Sequence, residues 1–194
     1  MRKATASRQT RETKVEVELN LDRRSPAAAS TGVGFFDHML ELLGTHARFA
    51  LSIKATGDTQ VDDHHTVEDV GITLGQALDK ALGDRAGVAR FGFASIPMDE
   101  ALADVSIDLS GRGILVFNVP FAQEKIGTYD AGLTQEFLQA FATNARITLH
   151  VNARYGRNGH HLTESIFKAL ARALGEAVSI DPRAKGIPST KGTL

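Results

Sequence analysis

The sequence contains no cysteine. Disulfides, thiolate-bound metals, iron–sulfur clusters and cysteine nucleophiles are therefore excluded. No apolar run approaches the roughly 20 residues needed to cross a bilayer. Residues 1–11 are polar, carry Arg2, Lys3, Arg8 and Arg11, and lack the apolar stretch of a secretory signal. An excess of one charge is missing too: 22 basic residues against 23 acidic ones give a formal net charge of -1. That balance removes any overall electrostatic case for a nucleic-acid or anionic-membrane partner. No Walker or dinucleotide-binding fingerprint and no serine nucleophile elbow occurs. The 194 residues suit one large domain or two small fused ones, and a cytoplasmic protein is the expectation. Among the features that are present, the seven histidines matter most, because they are not scattered.

Hydrophobic periodicity organises the chain. Residues 1–11 read as a flexible basic tail. Strict alternation over residues 15–21 and 49–55 predicts half-buried strands. Apolar residues at helical spacing predict helices over 35–43 and 64–82, with Gly83 as terminator and Asp63 as helix N-cap. In the second half, residues 105–109 and 114–119 read as two strands of a hairpin around Gly111 to Gly113. Residues 133–144 and 161–178 read as helices, and 147–151 as a strand between them.

Sliding the sequence by 96 residues lays His64, His65 and Glu68 on His160, His161 and Glu164. Leu74, Ala77, Leu78 and Ala81 fall on Leu170, Ala173, Leu174 and Ala177. Two amphipathic helices can share an apolar stripe, but core packing does not explain a repeated His-His-x-x-Glu. The pattern implies an internal duplication, with ββαβα halves at about 12–95 and 96–180 and a tail over 181–194. Helices packed on one face of a mixed sheet make this an α+β fold.

The repeated motif has metal-binding chemistry. His64 with Glu68, and His160 with Glu164, lie four residues apart and so face the same way on a helix. Each pair can hold one ion through imidazole nitrogen and carboxylate oxygen. His65 and His161 sit about 100° further round and point to a different ion. Two sites are therefore expected, each drawing on both motifs. Three ligands per site are few, and His38 and His150 are candidates to complete them. Asp62 or Asp63 can orient a histidine ring from behind. The donors suit Mn, Fe, Co, Ni or Zn alike. Separately, Gly186 to Gly192 combines backbone freedom, hydroxyls and Lys191, a composition able to wrap an anion.

The motifs Phe36-Asp37-His38-Met39-Leu40, Asp62-Asp63-His64-His65-Thr66-Val67-Glu68-Asp69, Asp108-Leu109-Ser110-Gly111-Arg112 and His160-His161-Leu162-Thr163-Glu164 closely resemble imidazoleglycerol-phosphate dehydratases of histidine biosynthesis. So do Arg90-Phe91-Gly92, Pro97-Met98-Asp99-Glu100-Ala101-Leu102 and Pro188-Ser189-Thr190-Lys191-Gly192. The likeness runs from about Glu12 to the C-terminus. Thr190 stands where a second serine is common, and Val67 where a polar residue is frequent.

The resemblance implies a monofunctional hydro-lyase with a duplicated fold like domain 2 of a small-subunit ribosomal protein. It implies self-association into a 24-subunit shell, with active sites between subunits and two Mn ions in each. One ion would take His64, Glu68, His150 and His161, and the other His38, His65, His160 and Glu164. Glu12, His46, Arg90, Arg112, Lys168, Ser189, Thr190 and Lys191 would surround the substrate, the cationic ones at its phosphate. The substrate would be imidazole glycerol phosphate and the product imidazole acetol phosphate. The C–H to be broken has no neighbouring carbonyl, so the ring must be the electron source, as an imidazolate passing through a diazafulvene-type intermediate. Glu12 is the candidate for proton transfer, with Glu68 or Glu164 as competitors. Two other readings use the same residues: a dinuclear hydrolase of a phosphorylated small molecule, and a non-catalytic protein assembled by metal.

Overall fold

The computed structural model describes every residue except 123 and 185. The first half runs β1 (Lys3–Gln9), β2 (Thr13–Asn20), β3 (Ala28–Ser30), α1 (Gly34–Ala47), β4 (Ala50–Gly57) and α2 (His64–Leu82). The second runs β5 (Phe91–Met98), β6 (Ala101–Asp108), β7 (Ile114–Asn118), a small hairpin of β8 (Lys125–Ile126) and β9 (Tyr129–Asp130), α3 (Leu133–Ala145), β10 (Thr148–Tyr155) and α4 (Gly159–Ala177). The halves form sheets of matching order, β1-β2-β4-β3 and β5-β6-β10-β7. Their registers match as well: Val17 stands opposite Ile53 in one, and Val105 opposite Val151 in the other. Both are mixed sheets, since β3 joins β4 and β7 joins β10 in parallel. The duplication is thus visible in topology.

Alternation explains the central strands. In β2, Val15, Val17 and Leu19 are buried while Lys14, Glu16 and Glu18 face solvent, which sets one sheet face inward. The helices lie inside and the sheets outside. Helix α2 packs on β1 and β2, and α4 on β5 and β6; across the halves, α2 meets α3 and α1 meets α4. One hydrophobic core results, with Phe36, Phe137, Phe141 and Phe167 fully buried in it. The α2–α3 crossing is close enough to require small residues. A Cβ on Gly71 would stand 2.7 Å from the Phe137 carbonyl oxygen, and one on Gly75 2.7 Å from that of Phe141.

Three expectations change. Residues 1–11 are not a flexible tail: Lys3–Gln9 pairs with β2 along its length, Ala6 is buried, and Arg2 and Arg8 are held by Asp22 at 2.7 Å and Asp69 at 2.6 Å. The strand was hidden because its inward residues are small. The first repeat therefore begins before residue 12, and each half has three strands of its four-stranded sheet ahead of its first helix. Ile114–Asn118 is not the hairpin partner of β6; β10 lies between them. Burial decides this, because β10, apolar at Leu149 and Val151, takes the central place and leaves half-exposed β7 at the edge.

Candidate active site

Both histidine pairs open a helix. At α4, the Asn158 side chain accepts hydrogen bonds from the backbone N–H of His160 at 2.9 Å and of His161 at 3.3 Å. At α2, the Asp62 carboxylate accepts from His64 N–H at 2.8 Å, while Asp63, at the cap position, makes no capping bond. These contacts satisfy amides that have no partner within the helix. They also fix the backbone from which the imidazoles project.

The tightest cluster joins α4 to α1. His160 Nε2 lies 3.2 Å from Glu164 Oε2, and His38 Nε2 lies 3.8 Å from the same oxygen. The three ligand atoms all fall within 4.8 Å of one another. Ligands at right angles on one ion, each about 2.2 Å away, stand about 3 Å apart, so this donor set fits a divalent cation. Lys168 Nζ, one turn further on, sits 2.6 Å from Glu164 Oε1 and leaves Oε2 to the histidine side. Burial raises the Glu164 carboxyl, but the Lys168 hydrogen bond and charge, with His160 and His38, outweigh it and hold the group below its ordinary pKa. Phe35 packs edge-on against His160, with centroids 5.0 Å apart, and walls one side.

His65 and His161 do not join this cluster. Their Nδ1 atoms meet carboxylates: Asp58 Oδ2 at 3.1 Å for His65 and Glu100 Oε2 at 2.7 Å for His161. Those hydrogen bonds raise both histidine pKa values. Glu100 is driven down to about 2, first by His161 and then by the Asn158 amide. Glu12 Oε2 stands 3.8 Å from His65 Nδ1 on the exposed rim. His64 lines an open cavity of about 630 Å³ with Gly32, Asp62, Asp63 and Lys125. Glu68 follows one turn later on α2, half-buried. His150 is exposed on β10, opposite Ser106 and Val116, so the set His64, Glu68, His150 and His161 does not meet within one chain. His46, in the last turn of α1, lines a second cavity of about 530 Å³ with Arg48 and Arg172. Burial, then the charges of Lys168 and Arg172, push its pKa down.

Of the cationic candidates for the phosphate, Lys168 stays at the histidine end on Glu164, and the others lie elsewhere. Arg90 N–H donates to the Ala177 carbonyl at the end of α4, at 2.9 Å. Its guanidinium grips Asp108 at 2.7 and 3.2 Å and the Pro188 carbonyl at 2.8 Å. Arg90 thereby ties down the segment carrying Ser189, Thr190 and Lys191. That segment continues to Leu194, whose carbonyl carbon lies 2.5 Å from where a Gly111 Cβ would stand. Arg112 is next to Gly111 and exposed. Arg112, Ser189, Thr190 and Lys191 thus gather at the C-terminal end of α4, while His160 and Glu164 occupy its N-terminal end. At 1.5 Å per residue, the 19 residues of α4 separate the two groups by roughly 25 Å.

Comparison with known proteins decides the relationship. The family model described as imidazoleglycerol-phosphate dehydratase matches residues 31–174. The chain is 56% identical over 195 residues to the imidazoleglycerol-phosphate dehydratase of Nitrobacter hamburgensis, covering 100% of this chain and 99% of the relative. The chain belongs to the imidazoleglycerol-phosphate dehydratase family. It is 57% identical to the dehydratase of Azorhizobium caulinodans, with the same coverage. The crystal structure of the dehydratase from Staphylococcus aureus N315 superposes with a TM-score of 0.84 at 42% identity, covering 92% of this chain and 99% of that one. The dehydratase from Pyrococcus furiosus, solved in complex with (S)-C348, gives 0.83 at 34% identity, covering 97% and 99%. Membership makes the chain a hydro-lyase, and the α+β architecture with its duplicated halves agrees with these neighbours. No helix among the described residues is long and apolar enough to cross a membrane.

The sequence alone did not reveal the carboxylates behind the histidines. Asp62 and Asp63 were the candidates for that place, but Asp58 and Glu100 fill it. Asp58 lies in the loop before α2, and Glu100 in the tight turn between β5 and β6. Neither has a fixed spacing to its histidine, so only the motif around Glu100 could have signalled it.

Proposed function

We propose that this dehydratase removes water from imidazole glycerol phosphate to give imidazole acetol phosphate, a step of histidine biosynthesis, with two Mn ions bound in each active site. The observation that carries the reading is the convergence of His38, His160 and Glu164 on one point, in a chain of this family. His65 would complete that site from a neighbouring copy. His64, Glu68, His150 and His161, which one chain keeps apart, would form the other site between copies. Bound there, the ions would supply Lewis acidity to the substrate ring.

The chain's own groups account for the rest. Lys168 neutralises Glu164 and keeps it ionised as a ligand. Phe35 and the buried Tyr129 behind it give the ring an apolar wall. Arg112, Ser189, Thr190 and Lys191 present a cation, two hydroxyls and an ammonium to the phosphate, on a segment that Arg90 holds in place. Phosphate anchoring sets the reacting carbons against the base. The ring proton and the adjacent hydroxyl would leave together as water, giving a diazafulvene-type intermediate. Glu12, exposed beside His65, would take the remaining C–H proton while a ring nitrogen regains one, and the resulting enol would become the ketone.

A three-carbon chain bearing a ring and a phosphate is far shorter than α4. One substrate therefore cannot reach both ends of the same α4, and the active site must combine the histidine end of one copy with the anion end of another. Self-assembly follows from this reading, and the family resemblance gives it the form of a 24-subunit shell. The test is turnover after metal removal. Chelator-stripped protein with Mn restored should convert substrate to a product lighter by one water, by mass spectrometry, without phosphate release. Phosphate release, or turnover indifferent to metal, would overturn the reading.

A further inference from the structure

His65 and His161 coincide under the 96-residue shift, yet they share a detail that duplication does not explain. Each ring turns Nδ1 to a carboxylate: Asp58, at 3.1 and 3.3 Å, and Glu100, at 2.7 Å. The turn between β5 and β6 that carries Glu100 corresponds in the matching sheets to the turn between β1 and β2, where Glu12 stands 88 residues earlier and 3.8 Å from His65 Nδ1. Asp58 lies instead in the loop before α2, so the carboxylate nearest each ring comes from a different place in its half, yet meets the same ring atom. An ionised carboxylate only accepts hydrogen bonds, so Nδ1 must carry the proton and the lone pair sits on Nε2. Asp99 approaches that nitrogen of His161 only at 3.5 Å and is 67% exposed, so Nε2 is open to a stronger partner.

Glu100 does more than face a ring. Its other oxygen accepts the backbone N–H groups of Arg157 at 3.1 Å and Asn158 at 2.8 Å. Asn158 in turn caps α4 through His160 and His161. One carboxylate thus fixes both the imidazole and the backbone that bears it.

We propose that Glu100 and Asp58 are positioning residues for the metal centres, holding His161 and His65 as Nδ1–H tautomers with Nε2 directed at the ion. The inference rests on the metal reading above. Carboxylates behind ligating histidines typically govern metal affinity by about ten- to a hundredfold.

The experiment is a double-mutant cycle on the whole assembly, read as Mn affinity and stoichiometry by equilibrium dialysis of chelator-stripped protein. Glu100→Gln keeps an oxygen for the two backbone amides but removes the charge and can donate to the ring, so the other tautomer becomes available. Mn affinity should fall about ten- to a hundredfold, with the metal-free protein still folded and assembled. Within a His161→Ala background, Glu100→Gln should weaken binding no further. An unchanged affinity in Glu100→Gln, or an equal loss in both backgrounds, overturns the positioning role alone. Wild-type stoichiometry and affinity in His161→Ala overturns the ligand reading, and the inference with it. Asp58→Asn against His65→Ala repeats the cycle for the other half.

Discussion

At the scale of single residues, identity was more legible than alliance. The paired His-His-x-x-Glu marked candidate ligands, because polar repetition has no packing explanation. His38 was a looser candidate, and the fold brings it to Glu164 because α1 and α4 lie side by side. Glu164→Gln is expected to remove one metal per site and lower turnover at least roughly a hundredfold, read by metal analysis and product formation. Arg112→Ala should raise the Michaelis constant with turnover number nearly unchanged, because phosphate contacts bind ground state and transition state alike. Glu100 sets an acid dependence of stability. Its pKa is about 2 in the fold against an ordinary 4.5. A depressed carboxyl stabilises the fold above its unfolded value and loses that contribution as pH falls toward the folded one. Metal-free protein should therefore weaken from about pH 4.5 down to 2, and Glu100→Gln should flatten that slope in denaturant titrations.

Elements were legible where periodicity was strong. Helix α2 spans the residues its apolar stripe marked, and the alternation of β2 located its buried face. The failures were β1, with Ala6 as its one buried apolar residue, and β7, whose place in the sheet depends on a strand more than 30 residues later. Pairing of that kind leaves no local trace. The crossing of α2 and α3 is set by backbone approach rather than by side-chain stripes. Gly71→Ala must push against the Phe137 carbonyl and the Ala140 methyl at 2.7 and 2.9 Å. A loss of about 1–3 kcal/mol is expected from overpacking, measured as a lowered denaturation midpoint at constant slope. Asn158→Ala removes the cap of α4 and should cost about 1 kcal/mol. The same change loosens the first turn that presents both histidines.

For the whole molecule, the duplication was legible through one helix pair, because the 96-residue shift lays the motif and stripe of α2 on those of α4, while the strands keep other offsets. The distance between the histidine and anion ends of α4 was not legible, since sequence order says nothing about which end of a helix a distant tail returns to. That distance makes a prediction about mixtures. His160→Ala damages one end of the chain and Arg112→Ala the other. Each variant alone should be severely impaired, the second through substrate binding. Co-assembled after mixing under dissociating conditions, the two should recover part of wild-type activity at low substrate, because some interfaces then pair an intact histidine end with an intact anion end. No recovery in mixed assemblies of confirmed composition would place the whole site within one chain.

The 19-residue span of α4 also bears on how this enzyme behaves when scarce. If ring and phosphate are held by different copies, a lone chain is catalytically silent, and specific activity depends on concentration rather than being constant. Dilution below the point of dissociation should extinguish turnover without unfolding any chain. Newly made protein would then fall idle until enough of it had accumulated, giving onset of activity a threshold in the amount of enzyme.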